Sequence, residues 1–368
     1  METTFRSDVL ELFLELAAIP SPSGAEQAVA ERITTYLRQL GLQPEPDEAG
    51  NILARVDATE HGAGTPIFLC AHMDTVPASG AIEPVVEDGV VRNGANTILG
   101  ADDKAAVAVL LEATRVLLAE RRPHAGIELL FTVREETGLD GAKAFDHTRL
   151  GAHMGFVYDY SGPVGDVVSA APSGRKIDVV FRGRPAHAGI NPEEGRSAIY
   201  AAAKAVADLR LGRIDDETTA NVGRIEGGTA RNVVPEICTL AAEARSRDEK
   251  KLADLVAEML DSFTFAAGVA ECEVETNVEE SYRAYRFRPD DPAFALALTA
   301  LERAGFSPRP VEVGGGADAN VFNARGLACV NLANGMAHVH TAEEEIAVAD
   351  LDAMLRVTLE LVEVARGA

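Results

Sequence analysis

The amino-acid sequence predicts an α/β protein: a mostly parallel-sheet domain interrupted by an inserted α+β domain of ferredoxin-like order. Three observations support this. Up to Tyr158, apolar strand-like runs alternate with stretches whose apolar residues recur at helical spacing. From Lys176 onward apolar and polar residues alternate, as in antiparallel strands, within a β-α-β-β-α-β succession. Strand-like Val330-Asn-Leu332 and a final helix over 348–364 then return to the first pattern. The expected division is 1–173 and 284–368 for the discontinuous parallel-sheet domain and 174–283 for the insertion. A chain of 368 residues is long enough for two such cores.

Each element has a local reason. Residues 9–18 have helical spacing, and Ile19-Pro-Ser-Pro-Ser-Gly24 breaks it, because proline removes a helical donor. A second helix is expected over 26–40, and neighbouring strands over 51–56 and 67–70. Ala105, Ala106, Val109, Leu110, Ala113, Val116 and Leu117 form one face of a helix over 102–118. The runs 127–133 and Phe156-Val-Tyr158 read as strands. In the insertion, strands are expected over 176–182, around Val222-Gly-Arg-Ile225, over 237–244 and over 272–276. Helices are expected between them over 195–209 and 250–267, and helical, small-residue-rich sequence resumes around 282–291.

Composition narrows the function classes. Hydrophobic residues make up 47% and charged residues 25%, the balance of a soluble globular protein. There is no Trp, and abundant Ala, Gly and Val predict close packing through small side chains. Asp and Glu number 58 against 34 Lys and Arg, a formal charge of -24. That balance disfavours nucleic acid and anionic membrane surfaces, both of which need a positive footprint. The acidic run Glu343-Glu344-Glu345 reads as solvated surface. Cys70, Cys238, Cys272 and Cys329 form no CxxC pair, so neither a zinc ribbon nor a disulfide framework is indicated, and Cys70 and Cys329 fall in apolar runs as buried thiols. Asp8, Glu11 and Glu15 among apolar residues make the start of the chain an amphipathic helix rather than a signal peptide. No apolar run reaches the roughly 18 residues of a membrane span, so a reducing, cytoplasmic setting is expected. A nucleotide site is disfavoured: GxxxxGK[ST] is absent, and Gly314-Gly-Gly lacks the strand–GxGxxG–helix context.

The residues with chemistry cluster where strands end. His72 and Asp74 follow the run 67–70, two residues apart and so on one side of the chain. In open α/β sheets sites form at the carboxyl ends of strands, and a metal-binding imidazole is commonly oriented by a nearby carboxylate. Asp102 and Asp103 open the long helix ahead of Lys104, where one acid suffices as a cap and the other is surplus. Glu135 and Glu136 close the strand 127–133, and two adjacent carboxylates raise one another's pKa unless a cation holds them. Asp159 follows Phe156-Val-Tyr158, and His340 follows Val330-Asn-Leu332 after a Gly-containing loop. Two imidazoles with three or more carboxylates suit a pair of divalent metals, zinc first, with cobalt or manganese as substitutes. Two such metals can activate water and polarise a carbonyl, which makes hydrolysis the natural reaction.

His72-Met-Asp74, Gly100-Ala-Asp-Asp-Lys104, Glu135-Glu136-Thr-Gly138 and His340 resemble the M20 metallopeptidases in order and spacing. The resemblance continues through Gly183-Arg-Pro-Ala-His-Ala188 and Gly227-Gly-Thr-Ala-Arg-Asn-Val-Val-Pro235 and covers essentially the whole chain. Gly314-Gly-Gly-Ala-Asp-Ala-Asn320 and Asp159-Tyr-Ser-Gly-Pro-Val-Gly165 are similar to the peptidase T-like branch, although Ser161 stands where some relatives carry a second acid. The resemblance implies a zinc-peptidase catalytic domain with an inserted lid and dimerisation domain. It implies that Asp102 bridges two Zn2+ ions, that His72 and Asp159 complete one shell, and that Glu136 and His340 complete the other. Asp74 would orient His72, and Glu135 would be the general base acting on a metal-bridging water. Asp103 would then be left without a metal, as a cap.

Read from the residues alone, His187 between Pro185 and Gly189 is a loop histidine; the resemblance implies that it reaches a partner subunit's site and stabilises the oxyanion, hence a homodimer. Asn232 and Arg247 resemble residues that hold the substrate's terminal carboxylate, with Arg245 the competing choice. Asp rather than Glu at position 159 resembles family members that remove an N-terminal residue. The expectation is a dinuclear zinc aminopeptidase acting on tripeptides or other short peptides. A carboxypeptidase or N-acyl-amino-acid deacylase is the alternative, and a non-catalytic peptide- or metal-binding protein the remote one.

Overall fold

The computed structural model describes residues 8–59 and 63–367. In chain order the elements are α1 (Val9–Ala17), α2 (Gln27–Gln39), β1 (Glu45–Pro46), β2 (Ile52–Val56), β3 (Ile67–His72), β4 (Pro84–Glu87), β5 (Val90–Asn93), α3 (Ala101–Glu120), β6 (Ile127–Thr132), α4 (Asp140–Ala144), β7 (Met154–Tyr160) and β8 (Asp166–Ala171). Next come β9 (Ser173–Arg182), α5 (Ala198–Asp208), β10 (Gly212–Arg213), β11 (Thr218–Gly227), β12 (Ile237–Ser246), α6 (Glu249–Val269) and β13 (Glu273–Tyr282). The chain ends with β14 (Tyr285–Arg286), α7 (Pro292–Arg303), β15 (Arg309–Glu312), α8 (Asp318–Ala324), β16 (Ala328–Ala333), β17 (Glu345–Ala347) and α9 (Val348–Arg366). Among the described residues no helix is long and apolar enough to cross a membrane.

Two compact units result. The first contains the chain up to Ser169, Arg286–Glu312 and the chain from Ala317; the second contains Ala170–Tyr285 and Val313–Gly316. In the first unit the sheet runs β1-β2-β6-β3-β7-β16-β8, with β15 also paired to β8. Its central pairs, β6 with β3, β3 with β7 and β7 with β16, are parallel. β2 and β8 flank them antiparallel. Every residue of β3 and β6 is buried, which explains why these strands read as continuous apolar runs. Phe13, Leu16, Ile33, Val109, Phe131, Phe156, Met354 and Leu361 belong to the core that surrounds the sheet. Four parallel strands therefore end at one edge, and the polar residues that follow them meet there.

The second unit is a five-stranded antiparallel sheet in the order β10-β11-β12-β9-β13. The order β11-β12-β9-β13, with helices following β9 and β12, is the ferredoxin-like arrangement. α5 and α6 cover one face through Ala201, Ala205, Leu255, Met259 and Phe263, packed on Ile177, Val179 and Phe181. Gly316 belongs here because a Cβ on it would lie 2.5 Å from the Tyr282 ring.

The structure departs from expectation in several places. Residues 282–291 are not helical: β13 continues to Tyr282, β14 follows, and the helix starts at Pro292. Pro289 and Pro292 explain the late start, since each disfavours helical backbone in the residue before it, and proline suits the first helical turn. The short strands of the separate β17-β5-β4 sheet lack enough residues to show a period and were not anticipated.

Candidate metal centre and active site

At the carboxyl edge of the parallel strands, Asp102 stands between two imidazoles. Its Oδ1 lies 3.1 Å from His72 Nε2 and its Oδ2 3.1 Å from His340 Nε2. His340 Nε2 is also 2.7 Å from Glu136 Oε1. The ligand atoms of His72, Asp102 and Asp159 all lie within 4.8 Å of one another, as do those of Asp102, Glu136 and His340, and those of His72, Glu135 and Glu136. The structure thus brings together every ligand-type residue expected from the strand ends.

Burial and neighbouring charges set the protonation of the cluster. Burial and the neighbouring Asp159 push Glu135 well above the usual carboxylate range. Burial and Asp102 do the same to Asp159. Burial disfavours charge on His72, yet hydrogen bonds to Asp102 and Asp74 outweigh it and raise the imidazole well above its ordinary pKa. Contacts with Asp102 and Glu136 raise His340 to about 10. Burial opposes ionisation of Asp102 too, but the two histidines win and lower its pKa. Close-packed carboxylates competing for protons, with two imidazoles aimed at one of them, are the donor set that divalent cations satisfy.

The backbone of each ligand segment is held by a side chain outside the donor set. Asp74 is fully buried, and its carboxylate accepts from the main-chain N–H of Glu135 (2.9 Å) and Glu136 (3.2 Å) and from the Ser23 hydroxyl (2.7 Å). His72 Nδ1 pairs with the Asp74 main-chain carbonyl at 2.9 Å, and the Asp74 carboxylate stands 3.5 Å from the same nitrogen. The imidazole is therefore held mainly by the backbone of Asp74, while the carboxylate supports the two glutamates. Glu26 accepts from the N–H of Arg134 at 3.1 Å, and Arg134 itself has φ 50 just before Glu135. Asn331 clamps Asp159, accepting from its N–H at 2.9 Å and donating to its carbonyl at 2.8 Å.

Two expectations at this edge are corrected. Asp103 is not a cap: it is fully buried, accepts from His72 N–H at 3.3 Å and lies 3.5 Å from Asn334 Nδ2. Its position follows from α3, which becomes regular only after Asp103. Nor is the whole acidic run 343–345 solvated, because Glu344 is only 2% exposed and receives three main-chain N–H groups. Ser23, Glu26, Asn331 and Glu344 escaped sequence reasoning. Their available signals were an Asn inside an apolar strand and an acid four residues after His340.

Within the second unit, His187 and Asn232 are neighbours: His187 bridges Val233, and Ala188 N–H donates to the Asn232 carbonyl at 3.0 Å. Both are exposed. They lie beyond the Arg182–Ile237 end of the β9–β12 pair, whereas Arg247 follows Ser246 at the other end. Ten paired residues separate the ends by about 30 Å. Arg247 donates to the carbonyls of Asp216 (3.0 Å) and Val313 (3.3 Å), and Arg245 pairs with Glu243 at 2.8 Å. One chain therefore does not bring Asn232 and Arg247 to the same carboxylate.

A parallel sheet with this carboxylate and histidine cluster at its carboxyl edge has the character of a metal-dependent hydrolase. Relatives narrow the class. The model of Peptidase family M20/M25/M40 matches residues 68–364, and the chain belongs to that family; it is a peptidase. The YqjE protein of Bacillus subtilis is 38% identical, over 96% of this chain and 97% of its own. The aminopeptidase PepT of Bacillus cereus superimposes with a TM-score of 0.86 at 39% identity, covering 97% of this chain and 98% of its own. A tripeptidase of Staphylococcus aureus superimposes with a TM-score of 0.91 at 34% identity, covering 98% of each chain.

Proposed function

We propose that the protein is a dinuclear zinc-dependent aminopeptidase that hydrolyses the N-terminal peptide bond of tripeptides and other short peptides. The observation that carries the reading is Asp102, whose two carboxylate oxygens each meet a different histidine. His72, Asp102 and Asp159 would hold one ion, and Asp102, Glu136 and His340 the other, with Co2+ or Mn2+ as substitutes. Bound there, the ions would supply the Lewis acidity that activates water and polarises the scissile carbonyl. Glu135 takes the proton from the attacking water and passes it to the leaving amine; its burial favours a base that readily accepts a proton. Asp74 acts through the backbone of Glu135 and Glu136 and through His72.

An N-terminal specificity is supported by the Asp at position 159 and by the aminopeptidase and tripeptidase among the relatives. His187 would stabilise the oxyanion, and Asn232 and Arg247 would hold the peptide's terminal carboxylate. Because Asn232 and Arg247 lie at opposite ends of the β9–β12 pair, joint action on one substrate requires two copies, which supports a homodimer. The acidic balance and the absence of a membrane-spanning helix among the described residues support action in the cytoplasm, on peptides rather than nucleic acid or membranes.

The test combines metal analysis with mass spectrometry of products from one tripeptide and its N-acetylated form. A free N-terminal residue from the first, and no cleavage of the second, is expected. Release of a C-terminal residue or an acyl acid would replace this reading with the carboxypeptidase or deacylase alternative.

A further inference from the structure

The loop that carries His340 also grips the loop that carries Asp102. Residues 337 and 345 close that loop at its base, with Ala337 N–H donating to the Glu345 carbonyl (2.9 Å) and Glu345 N–H to the Ala337 carbonyl (3.1 Å). Inside it His338 and His340 take left-handed conformations, φ 56 and 66, and Thr341 Oγ1 donates to the His338 carbonyl at 2.7 Å. Glu344 leaves this closed loop and turns inward. Its Oε2 accepts from the N–H groups of Leu99 and Gly100, each at 2.8 Å, and its Oε1 from the N–H of Asp102 at 3.0 Å. Gly100, at φ 77, makes the turn that precedes Asp102. No side chain near in sequence caps this helix start. The cap comes instead from a carboxylate 242 residues away from Asp102.

We propose that Glu344 is a positioning residue that ties the placement of Asp102 to that of His340. The inference rests on the two-ion reading above. It makes the ion held by Asp102, Glu136 and His340 depend on Glu344. The other set shares Asp102 but has further supports of its own: Asp103 on the N–H of His72, and Asn331 on both main-chain groups of Asp159. Glu344 therefore acts unequally on the two ions.

The chemistry allows a clean discrimination. All three partners are donors, so both oxygens of Glu344 must accept. Glu344→Gln keeps size and shape but turns one acceptor into an NH2 group facing an N–H. A residue that merely filled space would tolerate this exchange.

The experiment compares wild type, Glu344→Gln, Glu344→Asp and the exposed control Glu343→Gln. Zinc is titrated into chelator-treated protein, with calorimetry resolving the two binding steps, and kcat and KM are measured on a tripeptide. For Glu344→Gln one of the two binding steps should lose about 10- to 100-fold in affinity and the other clearly less. kcat should fall with KM nearly constant, and Glu343→Gln should match wild type. Glu344→Asp, which keeps the acceptors but shortens their reach, should fall between; it carries the comparison if Glu344→Gln does not fold. Affinities of Glu344→Gln within about twofold of wild type, or equal loss at both steps, would overturn the role of Glu344 alone. A single binding step in wild type would overturn the two-ion reading as well.

Discussion

Replacing Asp318 by Asn should stabilise the metal-free protein by about 3 kcal/mol near pH 8 and have no charge-dependent effect below about pH 4. Asp318 opens α8 and is 2% exposed. Its Oδ2 accepts from the Thr132 hydroxyl at 2.6 Å, while its Oδ1 is buried with no hydrogen-bond partner. Burial raises its pKa from 3.8 to about 6, with the Thr132 hydrogen bond acting the other way. The folded-state pKa exceeds the unfolded one, so ionisation disfavours the fold. Its own contribution to stability is whole below about pH 4, falls between about pH 4 and the folded pKa near 6, and is flat above it. A rise of roughly two units, at about 1.4 kcal/mol each, gives the stated magnitude. Asn keeps an acceptor for Thr132 and cannot ionise, so the pH dependence of the difference between the two proteins is led by Asp318, with a smaller part from Glu135 and Asp159, whose ionisation its charge opposes. Urea unfolding of chelator-treated wild type and Asp318→Asn at intervals across this range measures it. A difference that stays constant with pH refutes the reasoning. Added zinc should shrink the difference near pH 8, because nearby cations favour the ionised carboxylate.

Glu135→Gln should lower kcat by about 10²- to 10⁴-fold with zinc content unchanged and no loss of unfolding midpoint, measured by tripeptide turnover, elemental analysis and thermal unfolding; a loss under about tenfold would remove Glu135 as the base. Asn331→Leu should be the mirror image of Glu344→Gln. It strips the partners from Asp159 N–H and C=O, each worth about 1–3 kcal/mol when buried, and should weaken the ion held by His72, Asp102 and Asp159 in a zinc titration. Gly155→Ala should destabilise the first unit by about 1–3 kcal/mol in thermal unfolding, because the added Cβ would stand 2.0 Å from the ring of Phe68, which is fully buried. Phe68→Leu in the same chain should recover part of that loss.

His72, Glu135 and Asp159 could be read from sequence because each sits at the end of an apolar run, and a buried strand is the easiest element to see in a sequence. His72 ends β3, Glu135 follows β6, and Asp159 lies in the last residues of β7. Their supports could not be read in the same way. A side chain that accepts a main-chain N–H can serve almost any residue, so the pairing leaves no pattern of residue types. Glu344 and Asn331 bond to partners 242 and 172 positions away, and only the folded topology brings them together. The start of α7 was misplaced for a local reason, since small residues suggested a helix that two prolines postpone to residue 292.

The division between donors and supports also explains why so many buried acids can share one edge. Glu135 and Asp159 resist ionisation in their burial, so attraction between charges at these side chains cannot be what holds the loops together before cations bind. Main-chain amides can be. Asp74 accepts from two of them, Glu26 from those of Gly24 and Arg134, and Glu344 from three, so these carboxylates gain hydrogen bonds that do not depend on a metal. On the two-ion reading a site organised this way is preformed: hydrogen bonds to the main chain fix the loops that present His72, Asp102, Glu136, Asp159 and His340, and cations would then relieve the repulsion those loops impose. Removing a donor should therefore cost metal and leave the fold. Removing a support should cost one ion selectively, and the zinc titrations of Glu344→Gln and Asn331→Leu separate these two behaviours.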